Sequence, residues 1–265
     1  MSLNLENKTY FITGVANKKS VATHTAKTLI ANGAQCIFSA QNADNLAQIR
    51  KIFPDSPAFI LDVTNKDHIN NLSSEINKYT TRLDGILHSI AFARFDLPPV
   101  AFHETPREYF LEAAQISSFS LVEIANALKN TLEKNASVVT ISISNTRATS
   151  YGYLGPIKAM LETTVCYLAK SFSIIGEIRF NSVGAGPLKT SASAGIPDYI
   201  DNYLFSEELT IRKKNLATSE VANTAAFLLS PMSSGINAQN IIVDAGMSSN
   251  YFDQKVVKTY AQNRE

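Results

Sequence analysis

Residues 9–33, TYFITGVANKKSVATHTAKTLIANG, change structural period within a few positions. Thr9 to Thr13 is a short apolar run of the kind a strand buried on both faces requires. The loop GVANKK follows, and SVATHTAKTLIANG has a helical periodicity that ends at Gly33. Strand, glycine turn and helix in that order make the opening unit of a parallel sheet with crossover connections.

The unit repeats outward from there. QCIFSA, AFILDV, GILHSIAFA, SVVTISIS, IRFNSVGAG and NIIVDAG read as further strands. Between them NADNLAQIRKIF, KDHINNLSSEINKYTTRL, SSFSLVEIANALKNTL, GPIKAMLETTVCYLAKSFSII and SEVANTAAFLLS read as helices. The pattern predicts an α/β fold: one domain over residues 1–265 with a doubly wound, seven-stranded, mainly parallel sheet between two helix layers, a three-layer sandwich. Residues 187–217 break the rhythm; Gly195, Pro197, Asp198, Tyr199, Tyr203 and Phe205 there suit a substrate lid or a plain surface excursion. The terminal YFDQKVVKTYAQNRE either frays or packs on a neighbouring subunit.

Lys and Arg total 24 against 23 Asp and Glu, a formal charge of +1, so no broad field favours nucleic acid or an anionic membrane. A small-molecule ligand is the expected partner. Cys36 and Cys166 lack metal-ligand spacing and the four histidines are scattered, so reduced thiols and no metal centre are expected. MSLNLENKTYFIT has no signal-peptide pattern, and no stretch reaches roughly 18 to 20 apolar residues, which makes the cytoplasm the expected location.

In an open parallel sheet the ligand crevice lies at the carboxyl ends of the strands, where the first helix offers free N–H groups to a pyrophosphate. Gly14 falls there, with Ser20 and Val21 at the helix start; a simple turn glycine is the alternative, because GVANKKS lacks the three-glycine fingerprint. Gln41, past the second strand, suits an adenosine ribose, but supplies neither the acid expected for a ribose diol nor a base for a 2′-phosphate. Asp62 and Val63 could bracket the adenine, or Asp62 could serve as a turn or cap residue. Ser89, Ile90 and Ala91 end the fourth strand, where a backbone passes close to the cofactor ribose or simply packs. In SYGYLGPIK, Tyr151 precedes Lys158 by seven residues, about two helical turns, so one face can carry both. A tyrosine hydroxyl, with a pKa of about 10, needs a positive neighbour to stabilise its anion, and Lys158 can supply that charge and reach the nicotinamide ribose. A solvated lysine beside an interface aromatic is the structural alternative, and Tyr153 is a rival donor.

Together these residues resemble the short-chain dehydrogenase/reductase superfamily, and within it the enoyl-acyl-carrier-protein reductase branch, where six residues intervene between tyrosine and lysine as they do here. TGVANKKSVA, LHSIAFA, GPIKAMLE, VGAGPLKTSASAGI and IIVDAG extend the likeness over nearly the whole chain. The resemblance implies a Rossmann-like fold, with Gly14, Ser20 and Val21 at the phosphates and Gln41, Asp62 and Val63 on the adenosine side. It further implies Ser89 and Ile90 at the central cofactor contact, the Leu188 backbone at the nicotinamide carboxamide, and Tyr151 with Lys158 as the catalytic pair. Ala91, Ile143, Tyr153, Tyr199 and Phe205 are the expected substrate contacts, and Ala192, Ala194, Ile196, Tyr199 and Phe205 an apolar lid for an acyl chain. The implied reaction is reduction of an enoyl-acyl-carrier-protein thioester in fatty-acid elongation, with NADH as cofactor, NADPH as the alternative, and a homotetramer as the assembly.

The chain departs from the branch in three places. SIA at Ser89 to Ala91 replaces SIG, DAG at Asp244 to Gly246 replaces DGG, and Ile143 stands where a second active-site tyrosine is usual. Two competing readings follow: a ketone or alcohol oxidoreductase with Ser142 polarising the carbonyl, and a nucleotide-binding paralogue without catalysis.

Overall fold

The computed structural model describes residues 3–94, 100–190 and 199–262. Strand β1 (Thr9–Ile12) is buried throughout and leads through the Gly14 turn into α1 (Val21–Ala31). Then come β2 (Gln35–Ala40), α2 (Ala43–Ile52), β3 (Ala58–Ile60), α3 (Lys66–Asn77) and β4 (Leu83–His88). Helix α4 (Arg107–Ala114) runs through a π-helical turn (Gln115–Phe119) into α5 (Ser120–Leu128), followed by β5 (Leu132–Ile143), α6 (Leu154–Phe172) and β6 (Arg179–Ala185). Helices α7 (Tyr199–Leu209) and α8 (Thr218–Leu229), strand β7 (Asn240–Val243) and helix α9 (Gln254–Gln262) complete the order.

The seven strands form one sheet in the order β3-β2-β1-β4-β5-β6-β7, and every pairing is parallel. Strand β1 pairs with both β2 and β4, so the connections leave it in opposite directions and the crevice opens at its carboxyl end. Successive side chains of a strand face opposite layers. Tyr10 and Ile12 accordingly pack toward Ala22, Ala26 and Leu29 of α1 and Val221, Ala225 and Leu229 of α8, while Phe11 faces the layer of Leu72, Ile124 and Leu161.

Arg179 ties the far end of this sheet to α8. Its guanidinium is buried and donates to the carbonyls of Leu228, Ser230 and Ser233 at 3.2, 3.0 and 2.9 Å, serving groups that a helix end leaves without partners.

Three elements differ from the sequence expectation. The helix expected from 117 starts at Arg107, passes through the π turn and stops at Leu128, because Leu132 pairs with Leu83 at the start of β5. Residues 187–217 contain α7 rather than an irregular excursion alone. The terminal segment carries α9. Among the described residues no helix is long and apolar enough to cross a membrane.

Candidate active site

The crevice is built first by backbone. Thr13 N donates to Leu87 O at 3.0 Å, and its hydroxyl donates to the same oxygen at 3.1 Å, which draws the ends of β1 and β4 together. Gly14 follows at φ +81°, and a Cβ there would lie 2.0 Å from Ser89 O. Both the dihedral and the close approach require glycine. Ser20 caps α1, its Oγ accepting from Thr23 N at 3.2 Å, and the first turn of α1 contains no acid. That helix start is an anion cradle.

A cavity of about 670 Å³ runs from this cradle along the carboxyl ends of the strands. Gly14, Ser20, Val21, Gln41, Asp62, Val63, Ser89, Ile90, Ala91, Ile143, Tyr151, Lys158, Leu188 and Tyr199 all line it. Asn45, Thr64, Glu112, Ile116, Gly186 and Thr190 line it too and were not singled out in the sequence. Glu112 and Ile116 come from the α4 region, which gives no helical signal of its own; Gly186 and Thr190 flank the GPLKT stretch and could have been found with Leu188.

Two expected substrate contacts lie elsewhere. The Tyr153 hydroxyl donates to Arg94 O at 3.0 Å and accepts from Arg94 N at 2.8 Å, so it braces a loop outside the cavity lining. Phe205 is 52% exposed on α7 and outside the lining; six residues from Tyr199, it falls on another face of the helix. Ala192, Ala194 and Ile196 lie outside the described residues. Tyr151 belongs to a short 3₁₀ turn (Thr149–Tyr151), and Gly152 at φ +57° redirects the chain before α6, so a turn rather than one helix face brings Tyr151 and Lys158 to the same cavity.

The charges are set by burial. Lys158 is 6% exposed, donates from Nζ to Ile141 O at 2.8 Å, and is pulled down to about 8 by desolvation, with Glu162 pushing the other way. Burial, and then Tyr199, push Tyr151 up to about 12, against the lowering by Lys158 expected from spacing. Tyr151 therefore stays protonated, with an O–H available to donate. Behind them, buried His88 bridges Thr140 Oγ1 at 2.8 Å and Ser120 Oγ at 2.9 Å. Ser120 donates its own proton to Ile116 O at 2.7 Å, which assigns the His88 hydrogen to Nε2. Burial, assisted by Lys158, pulls His88 down to about 3, so it is neutral.

Ser142 donates to Glu162 Oε1 at 2.6 Å, turning its proton away from any ligand in the cavity. At the other end, Asp62 accepts from Thr64 N and Oγ1 at 2.9 and 2.8 Å while still lining the cavity, and Asn65 caps α3. Among the described residues the single cation in the lining is Lys158, at the far end from Gln41 and Asp62. The peptide groups of Leu188 are both engaged: its N–H donates to the Tyr199 hydroxyl and its carbonyl accepts from it, each at 2.8 Å. The cradle at Gly14, the acid-free start of α1 and the length of the cavity fit a dinucleotide.

Known proteins share this arrangement. A family profile described as Enoyl-(Acyl carrier protein) reductase matches residues 14–248. The chain is 36% identical over 251 residues to the Enoyl-[acyl-carrier-protein] reductase [NADPH] FabI of Staphylococcus aureus (strain MRSA252), covering 92% of this chain and 98% of that protein. It is 35% identical over 246 residues to the Enoyl-[acyl-carrier-protein] reductase [NADH] FabI of Enterococcus faecalis, covering 92% and 98%. The crystal structure of the Bacillus cereus enoyl-acyl carrier protein reductase with NADP+ and indole naphthyridinone superposes with a TM-score of 0.87 at 32% identity, covering 93% of this chain and 98% of that one. The NADH enzyme of Aquifex aeolicus VF5 gives the same TM-score and identity, covering 92% and 97%.

Proposed function

This chain belongs to the enoyl-acyl-carrier-protein reductase family of short-chain dehydrogenases/reductases, and from that premise we propose that its cavity reduces the carbon–carbon double bond of an enoyl-acyl-carrier-protein thioester with NAD(P)H. The observation that carries the reading is the meeting of the Gly14 cradle, Tyr151 and Lys158 in one cavity. Gly14, Ser20 and Val21 would hold the pyrophosphate, Gln41, Asp62 and Val63 the adenosine, and Ser89, Ile90 and Lys158 the nicotinamide ribose. The bound nicotinamide would supply the hydride to the β carbon, and a proton from solvent would complete the saturated thioester at the α carbon. Tyr151 donates a hydrogen bond to the thioester oxygen as negative charge develops there, a contribution that grows toward the transition state. Lys158 holds a positive charge next to that event. Ile143, Ala91 and the Tyr199 ring would give the substrate a largely apolar wall.

NADH is the cofactor we favour, because a 2′-phosphate beside Gln41 would meet Asn45 and Asp62 with no lining cation at that end among the described residues. A carbonyl reductase needs a second donor for its ketone, and Ser142 has committed its proton to Glu162. The chain works as a single domain around its one sheet, in the cytoplasm, and as a homotetramer. Exposed Phe119, Met160 and Tyr167, which line an apolar groove between the π turn and α6, support the assembly. The test is an assay with saturating NADH or NADPH against an enoyl thioester and the matched ketoacyl thioester. Enoyl reduction is expected; ketoacyl reduction alone would move the assignment to carbonyl chemistry, and dinucleotide binding without turnover of either would indicate a non-catalytic paralogue.

A further inference from the structure

Glu162 is a partly buried carboxylate that no step above uses. It lies four residues past Lys158 on α6, so the two side chains share a face of the helix. Its Oε1 receives the Ser142 hydroxyl proton at 2.6 Å, and the Asn240 side chain of β7 stands beside it and favours its charged form. Asn240 Oδ1 accepts in turn from Ser182 Oγ of β6 at 2.9 Å. The carboxylate is therefore anchored to β5 through Ser142, one helical turn along α6 from Lys158.

Lys158 has a matching need. A buried ammonium bonded to a neutral carbonyl loses its proton readily unless an opposite charge faces it. His88, on β4, is neutral; Tyr151, on the turn before α6, is protonated; Glu112, across the cavity, is paired with Arg94. That leaves Glu162 as the anion acting on Lys158 among the described residues.

We propose that Glu162 is a positioning residue of the reductase, whose negative charge one helical turn from the buried Lys158 keeps that lysine in the charged form that holds the dinucleotide ribose. The role of Lys158 in this statement rests on the reductase reading; the charge coupling does not. Desolvation has already brought Lys158 down to about 8, so a further fall of about one unit would leave it roughly half neutral at pH 7. The side chain that prevents this fall lies outside the cavity lining.

The coupling is tested on cofactor-free protein by competitive acetylation with acetic anhydride across about pH 6 to 10, with the Lys158 peptide quantified by mass spectrometry. Only the neutral amine reacts, so the midpoint of labelling is the titration of Lys158. Glu162→Gln is expected to lower that midpoint by about one pH unit, and the alkaline loss of NADH affinity should move down by the same amount. Glu162→Asp, which retracts the charge by one methylene, should produce a smaller fall in the same direction and carries the test alone if the Gln variant does not fold. Ser142→Ala removes the hydrogen bond and leaves the charge, so its midpoint should stay close to wild type. An unmoved midpoint in the Glu162 variants overturns the proposal; so does a fall in Ser142→Ala as large as in Glu162→Gln, which would assign the effect to the hydrogen-bonded cluster. Labelling needs neither cofactor nor substrate, so a wild type inactive on enoyl thioesters would count against the reductase reading alone.

Discussion

Tyr151 and Lys158 share one cavity but differ in what makes each of them work. Tyr151→Phe keeps the ring and deletes the donor, so single-turnover enoyl reduction should fall by about two to three orders of magnitude with NADH affinity little changed. Lys158→Met should weaken both NADH binding and turnover, a split that equilibrium titration beside stopped-flow reduction would resolve. The same pair fixes the pH dependence. Tyr151 stays protonated up to about 12, whereas Lys158 is charged below about 8 and loses its charge as pH rises through that value. NADH affinity should therefore decline with a midpoint near 8, and a plateau extending to pH 10 would remove Lys158 from the binding site. The seven-residue offset makes the pair legible in sequence. It does not say which tyrosine faces the cavity, since that is decided by Gly152 at φ +57° and by the Arg94 backbone that engages Tyr153. Spacing also carries no dielectric information, which is why burial overrides the lowering expected for Tyr151.

At the scale of the element, the central strands are the most legible part, because β1, β4 and β6 are short runs buried on both faces, whereas the edge strands β3 and β7 are partly exposed. The α4–α5 passage is obscured by its own geometry. Its buried apolar positions step from Ile116 to Leu121, five residues instead of three or four, because the π turn adds to the helical repeat there. Ser117 holds the turn in place, accepting from Phe92 N at 2.8 Å and donating to Phe92 O at 2.9 Å, a contact between segments distant in sequence. Helix α7 is hard to read for another reason: Ile200, Leu204 and Phe205 are exposed and form no stripe facing a core. Arg179 permits a direct test of how β6 is fastened to α8. Replacing it with Met removes a buried donor shared among these carbonyls, each of which keeps another partner such as Ser137 Oγ at Leu228 O and Ile236 N at Ser233 O, and urea unfolding should show a loss of about 1 to 3 kcal/mol. A loss below about 0.5 kcal/mol would mean that water serves those carbonyls equally well.

For the whole molecule, strand alternation announces a doubly wound sheet, but the order β3-β2-β1-β4-β5-β6-β7 is written in long-range pairing and not in any local period. The crevice inherits its place from that order. Comparative titration should show NADH binding more tightly than NADPH, since no cation in the lining stands near Gln41; a clear preference for NADPH would place the missing charge outside the described residues. Light scattering should give about four times the 28.9 kDa chain mass, and a mass equal to one chain would leave the groove at Phe119 and Tyr167 without its proposed cover. Leu188 and Tyr199 couple the sheet to α7 in a further way. With one hydroxyl engaging both peptide groups of Leu188, a ligand that accepts from this N–H must evict the tyrosine. Occupation of that spot is an exchange and not an addition, and what the newcomer alters is the tether between the segment after β6 and α7. A ligand bound at the Leu188 N–H would thus be felt on α7 as well as at the sheet, because the hydroxyl it replaces belongs to that helix.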